Sequence, residues 1–211
     1  MSQLTSICFL LLASLCKADV IFDFHTGSTT QGWIEVSDTT RKVGMSKGLF
    51  GITESEAVRH ATFLAVLNPQ PNGACFAGTE FSFPSPVSWL SDNYLRVRVR
   101  IQGDEGLLYK IILTDTDRER GETRSFQYTL PQGDGKTFAN VVMALSEFKC
   151  TFRGKPCEGT LNTDAISSIG IQVAGGRYEE RQGSGPVSVE IEHIDLLTDP
   201  RKAAERELLL A

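Results

Sequence analysis

The chain is poor in the features that usually announce an activity. Its three histidines, His25, His60 and His193, are scattered, and the cysteine spacing fits no zinc site, so no metal centre is expected. There is no H-E-x-x-H pair and no phosphate-binding glycine loop. No cofactor and no catalytic constellation is read from it, and a non-enzymatic protein is expected. Basic residues are outnumbered, with 21 Lys and Arg against 26 Asp and Glu for a formal charge of −5. Nucleic-acid binding needs a basic face, and so does adhesion to an anionic membrane; neither partner is expected. No N-x-S/T sequon occurs. Only one long apolar run exists, Ile7–Leu15, and it is too short to span a bilayer, which takes about 20 residues.

That run has a use. Small residues at Cys16 and Ala18 fit the site that signal peptidase cuts, and residues 1–16 lack the arginines of a mitochondrial presequence. Residues 1–18 are therefore predicted to be a signal peptide, with Asp19 the mature N-terminus. Losing Lys17 with them takes the charge from −5 to −6. A secreted or secretory-pathway protein is expected, with no stable membrane insertion. Cys75, Cys150 and Cys157 then remain. Arg153-Gly154-Lys155-Pro156 can turn the chain between the last two, which predicts a Cys150–Cys157 disulfide. Cys75, between Ala74 and Phe76, reads as a small buried hydrophobe.

Alternation dominates the rest. In Tyr94–Ile101, Leu95, Val97, Val99 and Ile101 share one face and Arg96, Arg98 and Arg100 the other. Leu107–Thr114 follows a turn-rich connector, which predicts a hairpin. Further strands are expected at 20–24, 33–37, 60–67, 75–83, 125–130, 140–145, 169–173 and 187–197. Pro84-Ser85-Pro86, 132–135 and 181–186 read as loops. The pattern is that of an all-β sandwich or jelly roll. Arg201–Leu210 has good helix formers and reads as a short C-terminal helix only where it docks.

The arginine stripe reads as a strand face paired with acids on a neighbour, against the competing reading of an anion-binding surface. Glu190 and Glu192 read as a solvated face. Asp115, Asp117 and Glu119 read as a loop rather than a calcium site. Trp33 reads as core or as a sugar-stacking ring, and Trp89 likewise.

Phe22-Asp23-Phe24, Trp33, Asp38 and Gly44-Met45-Ser46 open a series that continues through 72–76, Leu95–Tyr109 and Phe126-Gln127. Leu145-Ser146-x-Phe148, Arg153-Gly154, Ile169-Gly170-Ile171 and Val187–Ile194 complete it. In order and spacing the series resembles the complex I intermediate-associated protein family, over residues 20–197. The resemblance implies a galactose-binding-like jelly-roll β-sandwich and a role in assembly of the mitochondrial NADH:ubiquinone oxidoreductase. Phe138, Ala144 and His193 depart from its pattern.

The expectation is therefore a signal peptide at 1–18, a galactose-binding-like domain at 19–198 and a tail at 199–211. The domain binds a protein or glycan through loops at one end of the sandwich. The alternative is a mitochondrial complex I assembly factor or chaperone. Where the resemblance is densest, Asp38 and Ser46 offer polar groups, Gly44 permits close backbone approach, and Trp33 precedes them by one short strand. These four are ligand-binding candidates; their competing role is to close a turn, with Asp38 accepting backbone hydrogen bonds. Arg124, Gln127 and Arg153 are further candidates on polarity alone.

Overall fold

The computed structural model describes residues 19–38, 45–56, 58–71, 73–116, 123–152, 155–175 and 183–201. The predicted signal segment, Gly44, Arg153, Asp117, Glu119 and the tail after Arg201 lie outside the described residues. The strands run β1 Asp19–Asp23, β2 Trp33–Glu35, β3 Lys47–Glu54, β4 Arg59–Leu67, β5 Phe76–Val87 and β6 Tyr94–Gln102. They continue with β7 Leu107–Thr116, β8 Thr123–Thr129, β9 Ala139–Ala144, β10 Lys149–Phe152, β11 Lys155–Pro156, β12 Ile166–Gly175 and β13 Gly185–Leu197. One sheet, of six strands, has the order β3-β4-β13-β6-β9, with β1 on β13; the other, of seven, has the order β11-β10-β8-β7-β12-β5-β2. All pairings are antiparallel. In the six-stranded sheet β13 is central: β6 lies along one edge, and β4 and then β1 share the other.

Alternation produces the core. Leu95, Val97, Val99 and Ile101 of β6 face Ile111 and Leu113 of β7 and Ile169, Ile171 and Val173 of β12 within one buried cluster. At one side Phe22, Phe24, Trp33, Phe50 and Phe81 interlock, with ring centroids 4.9–6.4 Å apart.

Several expectations need correction, among them the loop expected at 181–186, whose Gly185 and Pro186 belong to β13. β6 and β7 are not a hairpin: β6 pairs with β13 and β9, β7 with β12 and β8. Alternation fixes which face a strand buries, not which strand it pairs with. The connector instead crosses between sheets, and at Gly103 a Cβ would lie 2.3 Å from Tyr109 Oη. Pro84-Ser85-Pro86 lies within β5, where the register jumps from Ser82↔Ser168 to Val87↔Ile166. The prolines fall in that unpaired stretch and cost no ladder bond. β3, β10 and β11 are strands that the sequence does not announce.

The arginine stripe lies on the outer face of the six-stranded sheet and pairs across to β13. Arg96 Nε donates to Asp195 Oδ1 at 2.8 Å and its Nη2 to Oδ2, with both side chains shut off from solvent. Arg98 donates to Glu192, and Arg100 to Glu190, whose Oε2 also lies 3.1 Å from His60 Nε2. Glu190 is buried rather than solvated, because Arg100 and His60 close over it.

Candidate functional site

Three loop segments meet at one end of the sandwich and enclose a cleft of about 480 Å³. The first is the β5–β6 loop. Trp89 anchors it in the core, with its backbone N–H donating to Thr163 O at 2.7 Å, and Asp92 N–H closes a turn onto Trp89 O. The second is the 3-10 turn Leu145–Glu147 after β9, held where Leu145 N–H donates to Asn93 O at 2.9 Å. The third is 159–163. Between them they present the hydroxyls of Ser146, Thr160 and Thr163, the Asn93 amide and the Asp92 carboxylate, set against apolar side chains such as Leu90 and Leu161.

The third segment is fixed from behind. The Cys150–Cys157 disulfide is present, and Cys157 N–H donates to Cys150 O. The Arg124 guanidinium packs against Gly159, where a Cβ would lie 2.6 Å from Nη1, and lies over the Phe126 ring. Asp115, fully buried, accepts from Arg124 Nη2 at 3.3 Å and from Asn162 N–H at 2.8 Å. One buried carboxylate thus ties the wall to β7 and β8.

The sequence-predicted residues are not gathered here. Asp38 and Ser46 sit at the opposite end and are completely buried. Asp38 Oδ1 accepts from Ser46 N–H at 2.8 Å, while its Oδ2 accepts from Ser46 Oγ at 2.9 Å and from Phe76 N–H at 3.3 Å. Asn68 N–H donates to Ser46 Oγ in turn. This geometry closes a turn and ties the entries of β3 and β5 together; neither residue presents a surface to a ligand. Gly44-Met45-Ser46-Lys47-Gly48 also spells G-x-S-x-G, the pattern of a nucleophile elbow. Ser46 instead lies immediately before β3, its buried hydroxyl held by Asp38 and by the Asn68 backbone. Trp33 belongs to the aromatic wedge. Gln127 lies on the outer face of the seven-stranded sheet, where its Oε1 accepts from Lys110 Nζ at 3.1 Å. Of the described candidates, only Arg124 stands beside the cleft; Gly44 and Arg153 lie outside the described residues. Cys75 is free and buried, and burial pushes its thiol up. Among the described residues no His, Cys, Asp and Glu cluster could hold a metal ion.

The cleft residues carry no sequence signal as a set. They come from three separate segments, near 90, 145 and 160, and only the fold brings them together.

Solved structures similar to this one include carbohydrate-binding modules. The family 11 module of the cellulosomal cellulase Lic26A-Cel5E of Clostridium thermocellum superposes with a TM-score of 0.60 at 15% identity, over 87% of this chain and 95% of the module. A family 11 module from the same organism, in complex with a β-1,3-1,4-mixed-linked tetrasaccharide, gives 0.59 at 16%, over 85% and 95%. A CBM28 module specific for non-crystalline cellulose gives 0.51 at 13%, over 84% and 93%. At such identities the likeness is one of fold, that of a galactose-binding-like jelly roll. No protein of curated function matches the chain by sequence. The model of Complex I intermediate-associated protein 30 (CIA30) matches residues 22–191. That match spans most of the sandwich, and the chain belongs to the complex I intermediate-associated protein 30 family.

Proposed function

We propose that this protein is a secretory-pathway binding module that takes a glycan in its end cleft and performs no chemistry on it. The observation that carries the reading is the cleft itself: hydroxyl, amide and carboxylate groups set around apolar side chains, with no base-activated nucleophile beside them. Its lining suits a sugar, which offers hydroxyls at its edge and C–H groups on its faces. The similar modules with glycan ligands support the same reading, and so does the Cys150–Cys157 disulfide, which belongs in an oxidising compartment. Glycan-array binding by protein secreted from its own N-terminal segment is the test, together with N-terminal sequencing that starts at Asp19. Failure to bind any glycan rejects the ligand class, and mature protein recovered from the mitochondrial matrix rejects the location.

Family membership favours a second reading, a mitochondrial assembly factor or chaperone for the NADH:ubiquinone oxidoreductase. Co-purification with respiratory-chain subunits, without glycan binding, is its signature.

A further inference from the structure

Resting on the glycan-binding reading, we propose that the end cleft receives the terminal ring of an uncharged glycan, with Asp92 as the carboxylate that reads its hydroxyls. Asp92 is only 8% exposed. Its Oδ2 accepts from Ser91 Oγ at 3.0 Å, and among the described residues no donor is seen for Oδ1, which stays open to the cleft. A carboxylate withdrawn from water needs donors, and ligand hydroxyls supply them as charge-assisted bonds.

Charge selects against acidic sugars. Asp92 is the single charged side chain among the described residues that line the cleft. The Arg124 guanidinium stands behind Gly159 and is engaged by Asp115. A sulfate, uronate or sialate entering would meet a carboxylate and, among the described lining residues, no cation, a like-charge approach that interfaces use to reject partners. A cationic peptide would satisfy Asp92 but leave the neutral donors and acceptors of Asn93, Ser146, Thr160 and Thr163 without a matching array of small polar groups. A pyranose carries such an array on adjacent carbons.

Shape selects for a chain end. The cleft is bounded by three loop segments at the tip of the sandwich, and its volume lies toward the lower part of the range for small-molecule pockets, about 300–1,000 Å³. Leu90, 67% exposed at the rim, offers an apolar surface for the C–H face of the ring.

The test is an array of neutral, sialylated, sulfated and uronate-ended glycans probed with the full chain, followed by calorimetry on the best neutral binder. Neutral glycans should bind through their ends, and blocking the terminal hydroxyls by methylation should abolish binding. Asp92→Asn exchanges a charged acceptor for a neutral one and should weaken binding about tenfold. Preference for anionic glycans, binding that survives methylation, or unchanged affinity in a folded Asp92→Asn protein would overturn the proposal while leaving glycan binding intact. If Asp92→Asn does not fold, Leu90→Ala and Thr160→Ala, both at exposed positions, replace it; unchanged affinity in both overturns the proposal equally. No binding to any glycan would instead reject the function on which it rests.

Discussion

Replacing Asp195 by Asn tests how the six-stranded sheet tolerates a charge at its centre. Asp195 and Arg96 face each other across β13 and β6, with side-chain exposures of 0% and 1%. The substitution keeps the shape and removes the counter-charge, so a buried guanidinium loses the carboxylate that faces it across the strands. Breaking a buried pair in this way costs about 3–5 kcal/mol. Domains of this kind hold about 5–15 kcal/mol in all, so the variant stands near the limit of folding. For a domain of this size each kcal/mol moves Tm by about 2–4 °C, and a fall of roughly 6–20 °C is expected. Urea and thermal melts of the single variant and of Arg96→Met with Asp195→Leu form the assay. The double variant should recover most of the loss, because attraction in such a pair does little more than repay its desolvation. A loss below about 1 kcal/mol for Asp195→Asn, or a double variant no more stable than the single, would refute the reasoning.

Replacing Cys150 and Cys157 together by serine should lower stability by roughly 2–2.5 kcal/mol, through the unfolded-state entropy of so short a loop; melts with and without reductant check it. Asp38→Ala strips three hydrogen bonds from a buried carboxylate and should cost about 2–4 kcal/mol, while the protein that stays folded binds ligand like wild type; weakened binding at unchanged stability would restore Asp38 as a ligand residue. Burial pushes the Glu35 carboxyl up, but hydrogen bonds from Lys47, Gly48 and Ser37 and the Lys47 charge outweigh it and hold it below the ordinary value. Its contribution to stability is therefore present at neutral pH and lost as pH falls through that lowered value. Glu35→Gln should flatten this acid limb in pH-dependent melts and leave the alkaline side unchanged.

The sandwich is legible in the sequence wherever one face of a strand meets water and the other the core. β6 and β7 read clearly for that reason. β3 does not, because Gly48 and Gly51 interrupt its alternation and Leu49 points outward, 70% exposed. Pairing is a different matter: nothing in Tyr94–Gln102 says that its neighbour is a strand almost a hundred residues later. The family resemblance locates Asp38 and Ser46 correctly as a constellation, since their mutual bonds demand those residue types. It cannot distinguish bonds that hold a fold from bonds that hold a ligand. The cleft lies on loops at one end of the sandwich, whereas Asp38 and Ser46 lie at the other end.

The place of β13 has a consequence for synthesis. A chain made from its N-terminus completes β3 with β4, and β6 with β9, long before Gly185 emerges, and at about 5–20 residues per second the interval lasts several seconds. Until then β4 and β6 each expose an edge of unpaired backbone beside apolar side chains, the kind of surface that recruits other nascent chains. Only the last strand zips the two pieces together. A holding chaperone has most to protect during that interval, and a stop codon between the end of β9 and Gly185 yields two unzipped half-sheets in place of a shorter domain.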